Sequence, residues 1–424
     1  MEAEDRGWYD GPDRFVCAEC ADDEFLAAMV EAELVEPECD YCGAVSPDGT
    51  PIAAPVGVLI AGVGRAVNWY WTDPAEELPY ESREGGYQGE VIDSADLLAH
   101  HIGVSWEEAL LYDVAGCLAN EHWCKRDYFT LEQDDRLRHG WRKFEQTTKH
   151  RSRYAALLPP LKSDEFVHPD DVPTDTMLGE VANCIHVSGL ITTLPVSTTF
   201  FRARVHSPTE TLNTATDLGA PRPDQAMYAN RMSAAGIAVF YGAMEEQTAL
   251  IETFDPRKRK RRVATTARFE SLRDVRVLNL CDLPAIPSYF DIDNETRRYA
   301  TIFLYRFAVA VSEPTTKDGR EHIDYVPTQI FAEYIRHRLK VAGGGDIHGI
   351  MYPSAQAPGG RCCALFCDQS ACVEPEGLEL MHAEQWLRLD PASVTVHDED
   401  ACRLAVRRAR RRALVLRKRR RFGF

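Results

Sequence analysis

The chain has 424 residues, 45% of them hydrophobic, and a formal net charge of −18. That suffices for two or three domains with a sizeable core, and no stretch approaches the roughly 18–20 apolar residues of a membrane span; the longest candidate runs only from Pro55 to Gly64. The charge is uneven: residues 401–424 hold eleven Arg/Lys and no acid, leaving 37 basic against 66 acidic residues, net −29, in the rest. Such a body does not attract nucleic acid as a whole, so an anionic ligand must be held by local arginines.

The acidic start, Met1-Glu-Ala-Glu-Asp5, has no signal-peptide n-region, and a cytoplasmic location is the expectation. Thirteen cysteines in a reducing compartment point to metal ligation and buried thiols rather than disulfides. Residues 1–50 contain the strongest local signal. Cys17-Ala-Glu-Cys20 and Cys39-Asp-Tyr-Cys42 are separated by eighteen residues, the pattern of a closed four-thiolate zinc knuckle. Gly43 suits the tight turn of the second half. With no open ligand position, Zn²⁺ here is structural.

Residues 51–158 read as mainly helical. Val58 to Gly64 carries two glycines of a dinucleotide fingerprint but lacks the third glycine and the later acid, so a buried apolar element is expected. Ser105-Trp-Glu-Glu108 has the form of a capping box before Leu110, Leu111, Val114 and Leu118. A further helix is expected from Asp135 to Tyr154, stopped at Pro159-Pro160, with Trp141 and Phe144 on a core face and its bases in solvent. The Pro- and Asp-rich stretch from 159 reads as an interdomain linker, taken to 192.

From residue 193 to 400 short strands alternate with helices, as in a mixed α+β domain. Strands are expected at Thr199–Val205, Ile237–Tyr241, Val263–Phe269, Val275–Leu280, Gly349–Tyr352 and Cys362–Phe366. Helices are expected at Glu245–Phe254, Thr296–Ala310 and Pro327–Leu339. Cys362 and Cys363 should face opposite sides of their strand, which disfavours a shared metal. Arg257 to Arg262 reads as a solvated loop. The tail 401–424 is either a basic helix or a disordered arm, open to nucleic acid or to an acidic surface.

Four spaced pieces of residues 193–372 resemble the RES family: Phe200-Phe-Arg202-Ala-Arg204; Asn230-Arg231 through Gly236 to Tyr241; Thr248-Ala-Leu-Ile-Glu252; and Tyr352-Pro-Ser354 with Gly359-Gly360-Arg361. Tyr325 to Ile335 is similar to a helix of the longer RES proteins. Met232, Ser233 and Cys362 depart from the tryptophan, asparagine and asparagine usual there. The resemblance implies an ADP-ribosyltransferase-like fold. It implies NAD⁺ as substrate, cleaved or used for ADP-ribosyl transfer, and a toxin or phage-defence effector with an antitoxin or activating partner. It places Glu252, Arg202 and Ser354 in catalysis, and Arg202, Arg231, Tyr241 and Ser354 against NAD⁺. A homo-oligomer is expected, and no membrane. The knuckle and helical region look like the HEPN-type domain that precedes RES in longer members. HEPN ribonucleases carry an Arg with a His five to seven positions on; here Arg142 and His150 are eight apart, and Arg136 and His139 three. An RNA-cleaving or nucleic-acid-binding protein is the alternative, and a catalytically silent interaction protein the third.

The chemistry suits those residue types. Loss of nicotinamide builds positive charge at the anomeric carbon, which a nearby carboxylate stabilises. A pyrophosphate calls for guanidinium forks.

Overall fold

The computed structural model describes residues 6–159, 168–258, 262–313, 319–341, 344–375 and 384–421, with side chains to 415. The chain forms two compact units, 1–132 with 285–299, and 133–284 with 300–424. None of the helices among the described residues is long and apolar enough to cross a membrane.

In the first unit α1 (Val56–Tyr70) is the central helix. Its buried Leu59, Ile60, Val63 and Val67 meet Leu26, Val30, Leu97, Leu98, Leu110 and Val114. The two glycines of the apolar run allow close packing. A Cβ on Gly62 would stand 2.7 Å from Leu26 Cδ2, and one on Gly64 2.6 Å from the Trp8 ring. The expected buried element is therefore this helix. The expected capping box does not form: the following helix is Glu108–Ala115, with Glu107 at its N-cap and no side-chain cap. Trp106 instead donates its indole N–H to the Ala21 carbonyl at 2.8 Å, which ties down the segment that would have capped.

The second unit is mixed α+β. In chain order it contains α2 (Gln133–His150), α3 (Met177–Val187), β1 (Ile191–Leu194), β2 (Thr199–His206) and β3 (Phe240–Ala243). There follow α4 (Glu246–Thr253), β4 (Val263–Ser271), β5 (Val275–Asn279), α5 (Glu295–Ser312, from Ala300 in this unit) and α6 (Val326–His337). The chain closes with β6 (Gly349–Pro353), β7 (Arg361–Leu365), β8 (Cys372–Val373), β9 (Leu387–His397) and α7 (Glu399–Arg421). One nine-stranded sheet runs in the order β8-β9-β4-β2-β3-β7-β6-β5-β1.

On one face of the sheet α2, α3, α5 and α6 pack around Trp141, Phe144, Phe303, Phe307 and Phe331. Trp141 and Phe144 stack with centroids 5.0 Å apart, and Phe307 meets Trp141 edge-on at 4.8 Å. Arg142, Lys143 and His150 are exposed, so α2 has the expected aromatic core face and solvated basic face. It ends at His150, well before Pro159: the Thr147 carbonyl accepts from both Arg151 and Ser152 N–H at 2.9 Å. Within the expected linker, α3 is an ordered core helix with Met177, Val181 and Ile185 fully buried. Cys362 and Cys363 fall in different cores on opposite faces of β7, as their adjacency on a strand requires.

The strand expected at Ile237–Tyr241 begins later. Gly236 takes φ +89° and Ile237 N–H turns back to Ala234 O, so β3 pairs with β7 only from Phe240 to Ala243. On its other side β3 joins β2 at a single register, Ala243 to Phe201, whereas β2 pairs β4 over eight positions. The sheet therefore splits between β2 and β3. Gly242 marks the join: a Cβ there would be 2.9 Å from Phe201 O.

The basic tail is a helix, and part of it is packed. Cys402, Ala405, Val406 and Ala409 recur at helical spacing and bury against Leu250, Ile251 and Phe254 of α4. A free arm is thereby corrected for the segment through Ala409. Burial of an apolar stripe determines its place, which the basic composition conceals.

Candidate functional site

A cavity of about 1300 Å³ opens at the split in the sheet, with Arg202, Arg204, Arg231, Tyr241 and Glu252 in its lining. Strand periodicity explains the first pair. Residues 202 and 204 are two apart on β2, so both guanidiniums project from the same face. Arg202 is only 7% exposed. It donates to the Tyr241 carbonyl at 2.7 Å and lies 4.9 Å over the Phe240 ring. Arg204 donates to the Gly219 carbonyl at 2.8 Å. Neither makes an ion pair within 4 Å among the described residues, although the Asp217 charge favours the Arg204 cation, and the Nε of each is buried without a hydrogen bond. Burial, and then the charge of Arg204, press the Arg202 pKa downward, and burial does the same to Arg204. Guanidinium starts so high that both stay charged at neutral pH. One buried and one half-buried cation, each with spare donors, are an arrangement that an anion completes.

Glu252 comes from α4. The helix is fixed at its start by Glu245, whose carboxylate accepts from Arg361 N–H, Arg361 Nε and Thr248 Oγ1, each at 3.0 Å. These bonds outweigh burial and hold the Glu245 carboxyl below its usual range. Thr248 to Ile251 of α4 and the following Phe254 are buried, and Glu252 lines the cavity together with Ala249, Ile251 and Phe254. Ser354 donates its hydroxyl to Glu252 Oε1. Gln356 donates its backbone N–H to the same oxygen at 3.2 Å and its amide to Oε2 at 3.3 Å. Ser354 Oγ itself accepts from Ala357 N–H at 2.8 Å. The loop can close this tightly because Gly359 adopts φ +79°. The carboxylate is thus clamped in one orientation by donors from a single turn.

Arg231 and Tyr241 are at the cavity but differently employed. The Arg231 guanidinium donates to the carbonyls of Val311, at 2.8 Å, and Glu313, capping the end of α5. It also lies 5.4 Å over the Tyr325 ring. Arg231, expected against NAD⁺, lines the cavity with its fork on backbone carbonyls. Tyr241 OH accepts from Met232 N–H and shares a hydrogen bond with Ser233 Oγ, both at 3.0 Å. Burial pushes its pKa up to about 12, so it is a neutral hydroxyl. Thr328 and Gln329 of α6 bond the carbonyls of Arg231, Asn230 and Ser233, which fixes this turn.

Arg204, Gln356 and Gln329 were not singled out from the sequence. The two-residue spacing from Arg202 could have indicated Arg204. No local signal marks Gln356 or Gln329, whose partners are about 100 residues away.

Residues 199–387 match the family described as RES domain, and residues 32–160 match HEPN/RES N-terminal domain 1. The chain carries a RES domain. Its helix α7 lies beyond the matched segment. No curated protein and no solved structure matches the chain.

Apart from the RES domain, Cys17, Cys20, Cys39 and Cys42 cluster with all four sulfurs within 4.8 Å of one another. Cys17 Sγ lies 3.6 Å from both Cys20 Sγ and Cys42 Sγ, and Cys20 Sγ lies 3.9 Å from Cys39 Sγ. A tetrahedron with metal–sulfur bonds of ~2.3 Å has edges of about 3.8 Å, so the donor set fits a four-thiolate ion. Cys17 N–H points at Cys39 Sγ at 3.3 Å, and Gly43 has φ +69°, the expected left-handed turn.

Proposed function

We propose that the RES domain consumes NAD⁺, breaking the bond between nicotinamide and ribose, with water, phosphate or a protein side chain as acceptor. The observation that carries this reading is the opening of a buried arginine without an acidic partner, a half-buried second arginine and one clamped glutamate onto the same cavity. Arg202 and Arg204 bind the pyrophosphate, whose two charges complete their unpaired donors. Glu252 faces the nicotinamide ribose. As the C1′–N bond breaks, its electron pair leaves with nicotinamide and positive charge grows at C1′, where the carboxylate stabilises it. Ser354 and Gln356 keep that carboxylate aimed, so little reorganisation is needed when charge develops. Tyr241, as a neutral hydroxyl, borders the ribose end.

The split sheet with a glutamate helix beside it is consistent with the ADP-ribosyltransferase-like architecture implied by the RES resemblance. A toxin or phage-defence role, with an antitoxin or activating partner, is what the RES resemblance implies. The four thiolates hold Zn²⁺ as a structural ion, since all four positions of a tetrahedron are filled by protein.

The test is release of nicotinamide from NAD⁺ by the purified chain. Glu252→Gln, which keeps the shape and loses the charge, should reduce turnover by about 10²–10³-fold while leaving NAD⁺ binding by calorimetry within a few-fold. Ser354→Ala should lower kcat more than it raises KM. A wild-type protein that neither binds nor consumes NAD⁺ would end this reading.

A further inference from the structure

At about 1300 Å³ the cavity exceeds the roughly 300–1000 Å³ typical of a small-molecule site. Its outer part is chemically unlike its interior. Its lining includes Lys258 and Arg262, which follow α4 in the chain, and Arg410 from α7, the helix appended after the RES match. None of these three cations has an ion-pair partner among the described residues, whereas neighbouring Arg257 is paired to Asp255 at 3.1 Å. The lining also includes Met227 and Tyr228, 70% and 83% exposed.

We propose that this rim is a binding site for single-stranded nucleic acid, occupied at the same time as the inner cavity. The charge is that of a groove that follows a phosphodiester backbone. An exposed tyrosine lining the same mouth supplies a face on which an unpaired base stacks. Both features line one concave mouth, so a ligand must offer phosphates and a free base face together; a duplex hides its base faces, and an acidic peptide has none. The strongly acidic remainder of the chain makes the local nature of the patch decisive, because only a strand threaded at the mouth escapes the general repulsion. The inference deepens the NAD⁺ reading by placing a polyanion beside the reacting ribose, and rests on it only for the identity of the inner ligand.

Fluorescence anisotropy of a labelled twelve-nucleotide oligo(dT) or oligo(U), titrated with the full chain, tests it. Three unpaired cations predict that log K falls with log[salt] at a slope of about −2, near −0.7 for each phosphate neutralised. The double variant Lys258→Glu/Arg410→Glu should weaken binding more than tenfold and flatten the slope. Tyr228→Ala should weaken it about tenfold with the slope unchanged. NAD⁺ affinity, measured separately by calorimetry, should change less than threefold in both, which also reports that the fold is intact. No oligonucleotide binding at low salt overturns the proposal. So does binding that both variants leave unchanged, or a duplex of the same length binding as tightly as the single strand. Because the oligonucleotide is followed directly, failure of NAD⁺ turnover leaves this result readable, and the reverse.

Discussion

Replacing Arg202 by methionine should make the RES domain more stable and unable to bind NAD⁺. The side chain is 7% exposed, has no acidic partner, and retains an unbonded Nε. An uncompensated charge this deep costs several kcal/mol even after relaxation, and the neighbouring Arg204 adds repulsion. Methionine fills the space of the aliphatic stem. Against the relief stand one charge-assisted hydrogen bond to Tyr241 O at 2.7 Å, about 1.5–3 kcal/mol, and a cation–π contact with Phe240, about 1–2 kcal/mol. The net expectation is a gain of roughly 1–2 kcal/mol, or about 2–8 °C in melting temperature for a unit of this size. NAD⁺ at 100 times its Kd should raise wild-type stability by ~2.7 kcal/mol and leave Arg202→Met unmoved. The assay is thermal melting of both proteins, metal-loaded, with and without NAD⁺. A variant that melts below wild type and still shifts with NAD⁺ would show that Arg202 is a structural tether for the split strands, and the anion-site reasoning would fall.

Arg231→Met should behave in the opposite sense. It removes the cap on the Val311 and Glu313 carbonyls, so urea unfolding should show a loss of about 1–2 kcal/mol, with NAD⁺ affinity reduced less than by Arg202→Met. His348 gives an acid-sensitive element. Its neutral Nδ1 accepts Arg276 N–H at 3.0 Å, and burial, followed by the charges of Arg273 and Arg276, lowers its pKa to about 4 from 6.5. The unfolded chain therefore takes up this proton first: the contribution is whole above about pH 6.5 and is lost as pH falls towards 4, about 1–2 kcal/mol once solvent screening of a half-buried ring is counted. His348→Gln should flatten that part of a stability–pH curve. Metal analysis should find one zinc per chain; Cys39→Ser or chelation should lower it and melt the unit containing residues 6–132, detected as loss of its protease resistance.

Periodicity and spacing alone determined a good deal. The two C-x₂-C pairs fixed the thiolate cluster, since two residues between sulfurs bring them to one point. The apolar and helical patterns of 199–206, 246–253, 263–271 and 326–337 gave their elements nearly to the residue, although 248–251 and 264–267 are buried without interruption rather than on one face. The proximity of Glu252 to Ser354, 102 positions apart, was available only through resemblance; tertiary structure adds Gln356 and the turn that clamps the carboxylate. Pairing decided the rest. A single register between β2 and β3 splits the sheet and creates the cavity, and no property of either strand alone predicts where its partner departs. The same holds for Arg231. Its sequence context is that of a ligand-binding arginine, yet the end of α5 comes within reach and occupies its fork. The tail was legible as basic, but the four small and apolar positions from Cys402 to Ala409 act only because α4 presents Leu250, Ile251 and Phe254 to them. Local sequence sets which groups are available and on which face; long-range packing sets which of them remain free for a ligand.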